Sequence, residues 1–274
     1  MPKCSCRWRL VSREGGLGLA LGICVALLSG GAEGYGEETR LKVSVLSKGA
    51  KFIGSSLGGA RVLLRDKETG EILAQGVTKG TTGSTAGIML DDREAGRPLS
   101  TADSAHYSVT LDLEKPRLIE FQAYGPLAQR QAANRASMTQ WVVPGKHIDE
   151  GDGMMLVLAG MAVDIVSPLA HRRLELAGKE SYAVPVVANV TMMCGCPLTP
   201  DGLWRADDFV VEAVLSDSDD KVIARQRLRT HDIPSRFSTQ FDISTKGWYQ
   251  LMVYAYQAST GNTGLDRTSF AITQ

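Results

Sequence analysis

The chain has 274 residues, of which 43% are hydrophobic and 22% charged, the mix of a folded globular protein rather than a disordered or fibrous one. Lys+Arg and Asp+Glu both number 30, so there is no basic footprint that would point to nucleic acid. The length admits one large or two ordinary domains.

The N-terminus reads as a targeting segment. Lys3, Arg7, Arg9 and Arg13 form a basic n-region, and Leu17 to Leu28 an uncharged apolar h-region. Gly30 and Ala32 fit a small-residue cleavage site, so residues 1–32 are expected to be a signal peptide. The alternative is an uncleaved anchor, the only way this chain would meet a membrane. Its apolar run falls short of the roughly 20 residues that span a bilayer. The segment holds no Arg-Arg pair for a twin-arginine route, and Ile23 before Cys24 does not suit lipidation. Cleavage removes four of the 30 basic and one of the 30 acidic residues, leaving a net charge of −3. It also removes Cys4, Cys6 and Cys24, so of five cysteines only Cys194 and Cys196 remain. The destination is periplasmic or extracellular, and there a thiol pair is oxidised, metal-bound or kept reduced by a partner.

Residues 38–160 read as a first β-domain. Leu41, Val43 and Val45 alternate with polar residues. Ala60 to Arg65 and Glu71 to Ala74 flank Asp66-Lys67-Glu68-Thr69-Gly70, a hairpin signal. Gly76 to Gly87 is rich in Gly and Thr and is expected to be a mobile loop, continued by an irregular charged stretch from Asp91 to Pro98. Tyr107 to Leu113 and Ile119 to Ala123 alternate as half-buried antiparallel strands. Leu127 to Met138 admits two readings, a helix with a poor apolar face or a polar edge strand. Trp141 to Gly145 ends in a turn, and Met154 to Leu158 closes the domain as a buried strand. The run Gly59 to Leu64, then Thr69 to Gly76, then a later Tyr-x-Val-x-Leu strand resembles the carboxypeptidase regulatory-like, transthyretin-like sandwich over roughly residues 40–125. That resemblance implies a small seven-stranded accessory or interaction module without catalytic residues.

Residues 161–274 read as a second β-domain of about seven short strands, the count of an immunoglobulin-like sandwich. Strands are expected at Val163 to Ile165, Pro185 to Met193, Phe209 to Leu215, Val222 to Leu228, Phe237 to Ile243, Gly247 to Ala255 and Ser269 to Thr273. Gly247-x-Tyr249-x-Leu251-x-Val253-x-Ala255 resembles the corner and penultimate strand of bacterial Ig-like and fibronectin-type domains. The resemblance implies that the Tyr249 hydroxyl bonds backbone just upstream. The opposite side of that strand carries Trp248, Gln250, Met252, Tyr254 and Tyr256. A sandwich buries one face only, so this second aromatic face packs on the first domain or on a partner.

The stretch with the most chemistry is Met192-Met193-Cys194-Gly195-Cys196-Pro197. On a strand, Val186, Ala188, Val190, Met192, Cys194 and Cys196 share one side. Paired thiolates with a thioether from Met192 or Met193 are soft ligands suited to Cu(I) or Zn(II). The same thiols can instead close a disulfide, although extended Cα atoms two apart lie roughly 6.5–7 Å from each other, near the upper limit for that bond. The third reading is an inert cap with Met192 in the core. No second cysteine pair or histidine cluster completes a zinc site.

Other motifs carry less. Gly54-Ser55-Ser56-Leu57-Gly58 has the letters of a nucleophile elbow but lies before a hairpin, not between a strand and a helix of a parallel sheet. His106, His147, His171 and His231 show no metal-ligand spacing among themselves, though His171 or His231 can meet Cys194 and Cys196 in space. Asp217, Asp219 and Asp220 sit in a tight turn with too few oxygens for calcium. Asn189-Val190-Thr191 is a sequon placed inside a strand.

The expected fold is therefore all-β, two antiparallel β-sandwich domains in tandem after a signal segment. The expected role is an exported non-enzymatic binding or assembly module contacting an envelope or secreted protein. The alternative is copper handling or thiol exchange at Cys194 and Cys196, with Met192 or Met193 assisting and copper as the possible cofactor. A hydrolase comes third.

Overall fold

The computed structural model describes residues 36–92, 96–230 and 233–274. The proposed signal segment and His231 lie outside the described residues. Among the described residues, seven strands precede Gly160: β1 (Glu37–Ser47), β2 (Arg61–Asp66), β3 (Ile72–Val77), β4 (His106–Leu113), β5 (Arg117–Gly125), β6 (Asn134–Val142) and β7 (Met154–Leu158). Nine follow it: β8 (Met161–Ser167), β9 (Arg172–Glu175), β10 (Tyr182–Met192), β11 (Phe209–Ser216), β12 (Val222–Arg227), β13 (Arg229–Thr230), β14 (Arg236–Ile243), β15 (Gly247–Gln257) and β16 (Asn262–Thr273).

The protein is all-β. The strands before Gly160 make two sheets, ordered β4-β1-β7 and β3-β2-β5-β6; those after it make β13-β14-β10-β8 and β12-β11-β15-β16-β9. Among the described residues no sheet mixes strands from the two sides of Gly160. Pairing is antiparallel except at two places, β1 with β7 and β16 with β9.

Alternation decides what each sheet buries. Leu41, Val43 and Val45 of β1 face Val62, Leu64, Ile119 and Phe121 across the first sandwich, all of them buried. In β10 every second residue from Val184 to Met192 is buried. These meet Val211, Ala213, Leu251, Val253 and Phe270 from the five-stranded sheet. Each valine, leucine, isoleucine, phenylalanine or methionine side chain so removed from water contributes about 1.5–3 kcal/mol. The anticipated hairpin is present: β2 pairs β3, and the Asp66 carboxylate accepts the Glu68 and Thr69 amides of the turn.

One segment differs from expectation and one open reading is decided. Part of Gly76 to Gly87 is tied into structure: Thr81 bridges Ser104, Lys79 bridges His106, and a single π turn spans Ala86–Leu90. Its Ile88 joins Phe52 and Ala105 in a third small core, so this glycine-rich run is packed. The ambiguous 127–138 stretch resolves as one 3-10 turn, Arg130–Ala132, followed by the edge strand β6.

The two halves interlock. Met193 enters the first core and Ala50 the second. Asn262 is fully buried; its amide accepts the Gly160 N–H at 3.0 Å and donates to the Lys48 carbonyl at 2.9 Å. The Trp204 indole N–H donates to the Gly49 carbonyl at 3.0 Å. The described residues consequently form one compact unit.

Candidate functional site

The sulfur stretch is a turn rather than a strand end. β10 stops at Met192, whose carbonyl accepts the Gly195 N–H at 2.8 Å and whose own N–H donates to the Cys196 carbonyl at 3.1 Å. Gly195 takes φ +79°, and a Cβ there would lie 2.8 Å from Leu57. That left-handed residue draws the Cα atoms of Cys194 and Cys196 to 5.4 Å, inside disulfide range, and the two are bonded. The extended geometry expected for them is thus replaced by a tight turn. Their exposures are 2% and 5%, so neither sulfur meets solvent freely.

The two methionines diverge. Met192 packs in the second core and Met193 in the first. Met192 is the last residue of β10 and Met193 opens the turn, and both side chains are fully buried. Of the four sulfurs named as soft ligands, those of Met192, Cys194 and Cys196 thus belong to the second core and that of Met193 to the first. His106 hydrogen-bonds the Ser104 carbonyl, His147 accepts the Arg40 N–H, and His171 sits beside Ser269. Among the described residues no three His, Cys, Asp or Glu side chains gather as a metal site. Leu57 of the Gly54 to Gly58 stretch packs near Gly195, so that loop serves as a contact between halves. Asp217 accepts the Asp219 and Lys221 amides, as a hairpin turn requires.

The bonding of the cysteines is directly measurable. Tryptic peptide 180–205 from unreduced protein should run a pair of hydrogens lighter than after reduction, and native protein should resist alkylation at both cysteines. Two alkylated thiols in the native protein would overturn the buried, bonded assignment.

The outer face of the five-stranded sheet is the second candidate. Tyr249 points inward; its hydroxyl donates to the Thr245 carbonyl at 2.7 Å and its ring stacks on Phe270. The upstream bond anticipated for the corner tyrosine is present. The alternate residues Trp248, Gln250, Met252, Tyr254 and Tyr256 point outward. Trp248 is 49% exposed and Tyr256 39%. Neither is packed away against the first half, whereas Tyr254 lines a crevice shared with Gln131 to Asn134. Burial, then the nearby Glu212 carboxylate, pushes the Tyr254 phenol above the usual tyrosine range, so it stays a neutral hydroxyl.

Sheet register surrounds this stripe with arginines. Met252 stands opposite Val214 on one side and Arg267 on the other. Arg225 and Arg227 stand opposite Val214 and Glu212. Arg225 reaches Glu212 at 3.5 Å, while Arg227 and Arg267 have no carboxylate partner among the described residues. At one end, Trp248, Gln250, Arg267, Ser269 and His171 line an open hollow of about 600 Å³. Reading the sequence identified the aromatic stripe but not the arginines. Arg225 and Arg227 lie on β12 and Arg267 on β16, and only the sheet register sets them beside the stripe.

No family model and no curated protein matches the chain. Among solved structures, an engineered protein studied by the Northeast Structural Genomics Consortium aligns at 14% identity and TM-score 0.30, over 48% of this chain and 24% of its own. The chain thus spans about a quarter of that protein's length. Fibronectin(III)-like modules of CbhA from Clostridium thermocellum align at 11% identity and TM-score 0.29, over 86% of this chain and 94% of theirs. The chicken interferon gamma receptor alpha chain aligns at 8% identity and TM-score 0.28, over 87% and 98%. At these scores the likenesses assign no family and no role.

Proposed function

We propose that this chain is an exported, non-catalytic module that holds a protein partner on the outer face of its five-stranded sheet. The observation behind it is the composition of that face. Trp248, Met252, Tyr256, Arg225, Arg227 and Arg267 are the residue types enriched where proteins bind tightly, and no lysine lies among them. The fitting partner presents an acidic rim around an apolar centre, because the face carries arginines without carboxylate partners. Export rests on the leader-like residues 1–32. Residues 38–160 and 161–274 act as two sandwich domains, the first of carboxypeptidase regulatory-like type, welded by Asn262 and Trp204. No described helix is long and apolar enough to cross a membrane. The copper or thiol-exchange alternative would first require the Cys194–Cys196 turn to open.

Site-specific photo-crosslinking in the producing cell tests the proposal. A crosslinker at Tyr256 should trap a discrete protein, and one at Glu68 in the β2–β3 hairpin turn should not. With the trapped protein purified, Trp248→Ala should weaken binding by about 30-fold, the effect of losing a 2 kcal/mol hot spot. Added salt should weaken it further. Equal crosslinking at both positions, or unchanged affinity in Trp248→Ala, would overturn the assignment.

A further inference from the structure

A separate surface, the open edge of β6, makes a second prediction about assembly. β6 pairs β5 over all nine of its residues, without a register shift, and ends its sheet. No described backbone group outside β5 bonds its backbone; only its first two residues are tied elsewhere, the Asn134 amide donating to the Ala159 carbonyl and accepting the Arg135 N–H. Eight of its residues are exposed or half-buried, and Met138 and Trp141 are 40% and 54% exposed.

A long bare edge is a pairing template, and natural sheets blunt such edges with bulges, charges, proline or brevity. The other sheet edges here do so. The pairings of β3, β8 and β12 contain register shifts. β12 also carries Arg225 and Arg227. β13 and β9 have two and four residues, β7 five, and β4 carries Asp112 and is bridged at His106 by Lys79. β6 has no proline and no bulge, and no charge from Ala136 to Val142.

We infer that β6 pairs antiparallel with the β6 of a second copy of this chain, joining two four-stranded sheets into one. The sequence is self-complementary about its midpoint, Met138. A two-fold axis there sets Met138 against Met138, Ser137 against Thr139 and Ala136 against Gln140. It also sets Arg135 against Trp141, a cation–π pair made twice. Directly opposed residues share a face, and this register opposes odd with odd and even with even. The single charge, Arg135, lies off the axis, so no like charges oppose each other. A foreign strand would need none of this symmetry.

Analytical ultracentrifugation of the purified protein over a concentration series tests the inference. The wild type should rise to twice the monomer mass. Met138→Lys opposes two ammonium groups on the axis and should raise the dimer dissociation constant by at least about tenfold. Met138→Glu should do the same. An equimolar mixture of the two variants should regain dimer, which also shows that both remain folded. A wild type that stays monomeric to about 1 mM, a dimer that survives both single variants, or a mixture no better than its components would overturn the inference. A failed dimer leaves crosslinking at Tyr256 unaffected, so the two proposals fail separately.

Discussion

Trp204→Ala should be among the most damaging single changes outside the sheets, lowering stability by about 3–5 kcal/mol. The side chain is 9% exposed and belongs to the second core, yet its indole N–H donates to Gly49 in the first half. Removal leaves a void and frees a carbonyl at a crossing point of the chain. Trp204→Phe keeps most of the ring and loses the bond, so it should cost only about 1–2 kcal/mol. Urea unfolding measures both. With a denaturant slope of about 1–3 kcal/mol per molar, the alanine variant should lose more than about 1 M from its midpoint. Because Trp204, Asn262 and Met193 fasten the halves together, the wild type should unfold in one step. A transition that splits in two, or an alanine variant as stable as the phenylalanine one, would show that the junction holds little.

How much of this was legible depends on the range of the contact concerned. Local alternation made β10 and β15 readable, because period two fixes which side is buried, while the Tyr249 corner was what the resemblance to Ig-like and fibronectin-type strands implied. The turn at Asp66 was readable because its amides bond a side chain two and three residues away. Gly195 shows the limit. The letters allowed a strand, and the residue took φ +79° instead, folding the cysteines together. Trp204 lies in a loop between strands, and nothing near it announces Gly49, 155 residues earlier. The arginines of the candidate face come from two strands flanking β15, and only the sheet register brings them to its stripe. For 127–138 the segment itself did not decide between helix and strand. Pairing with β5 did.

The other large effect concerns Met193 and separates packing from metal chemistry. Met193 is fully buried in the first core, although the strand it follows, β10, and its neighbour Met192 belong to the second. Gly160, at φ +132°, passes beneath it, and a Cβ there would lie 3.1 Å from the thioether sulfur. The side chain is therefore a peg from one sandwich into the other. Met193→Ala should cost about 2–5 kcal/mol through the cavity it leaves. Met193→Leu keeps the volume and should cost less than about 1.5 kcal/mol. A soft-metal role ranks the two variants differently, since leucine and alanine both lack the sulfur and would lose Cu(I) equally. Urea midpoints together with Cu(I) titration of the unreduced protein decide the matter. A leucine variant near wild-type stability, an alanine variant far below it and no copper bound by any of the three would mark Met193 as a fastener. Stoichiometric copper on the wild type, lost in the leucine variant, would restore a ligand role to the sulfur turn.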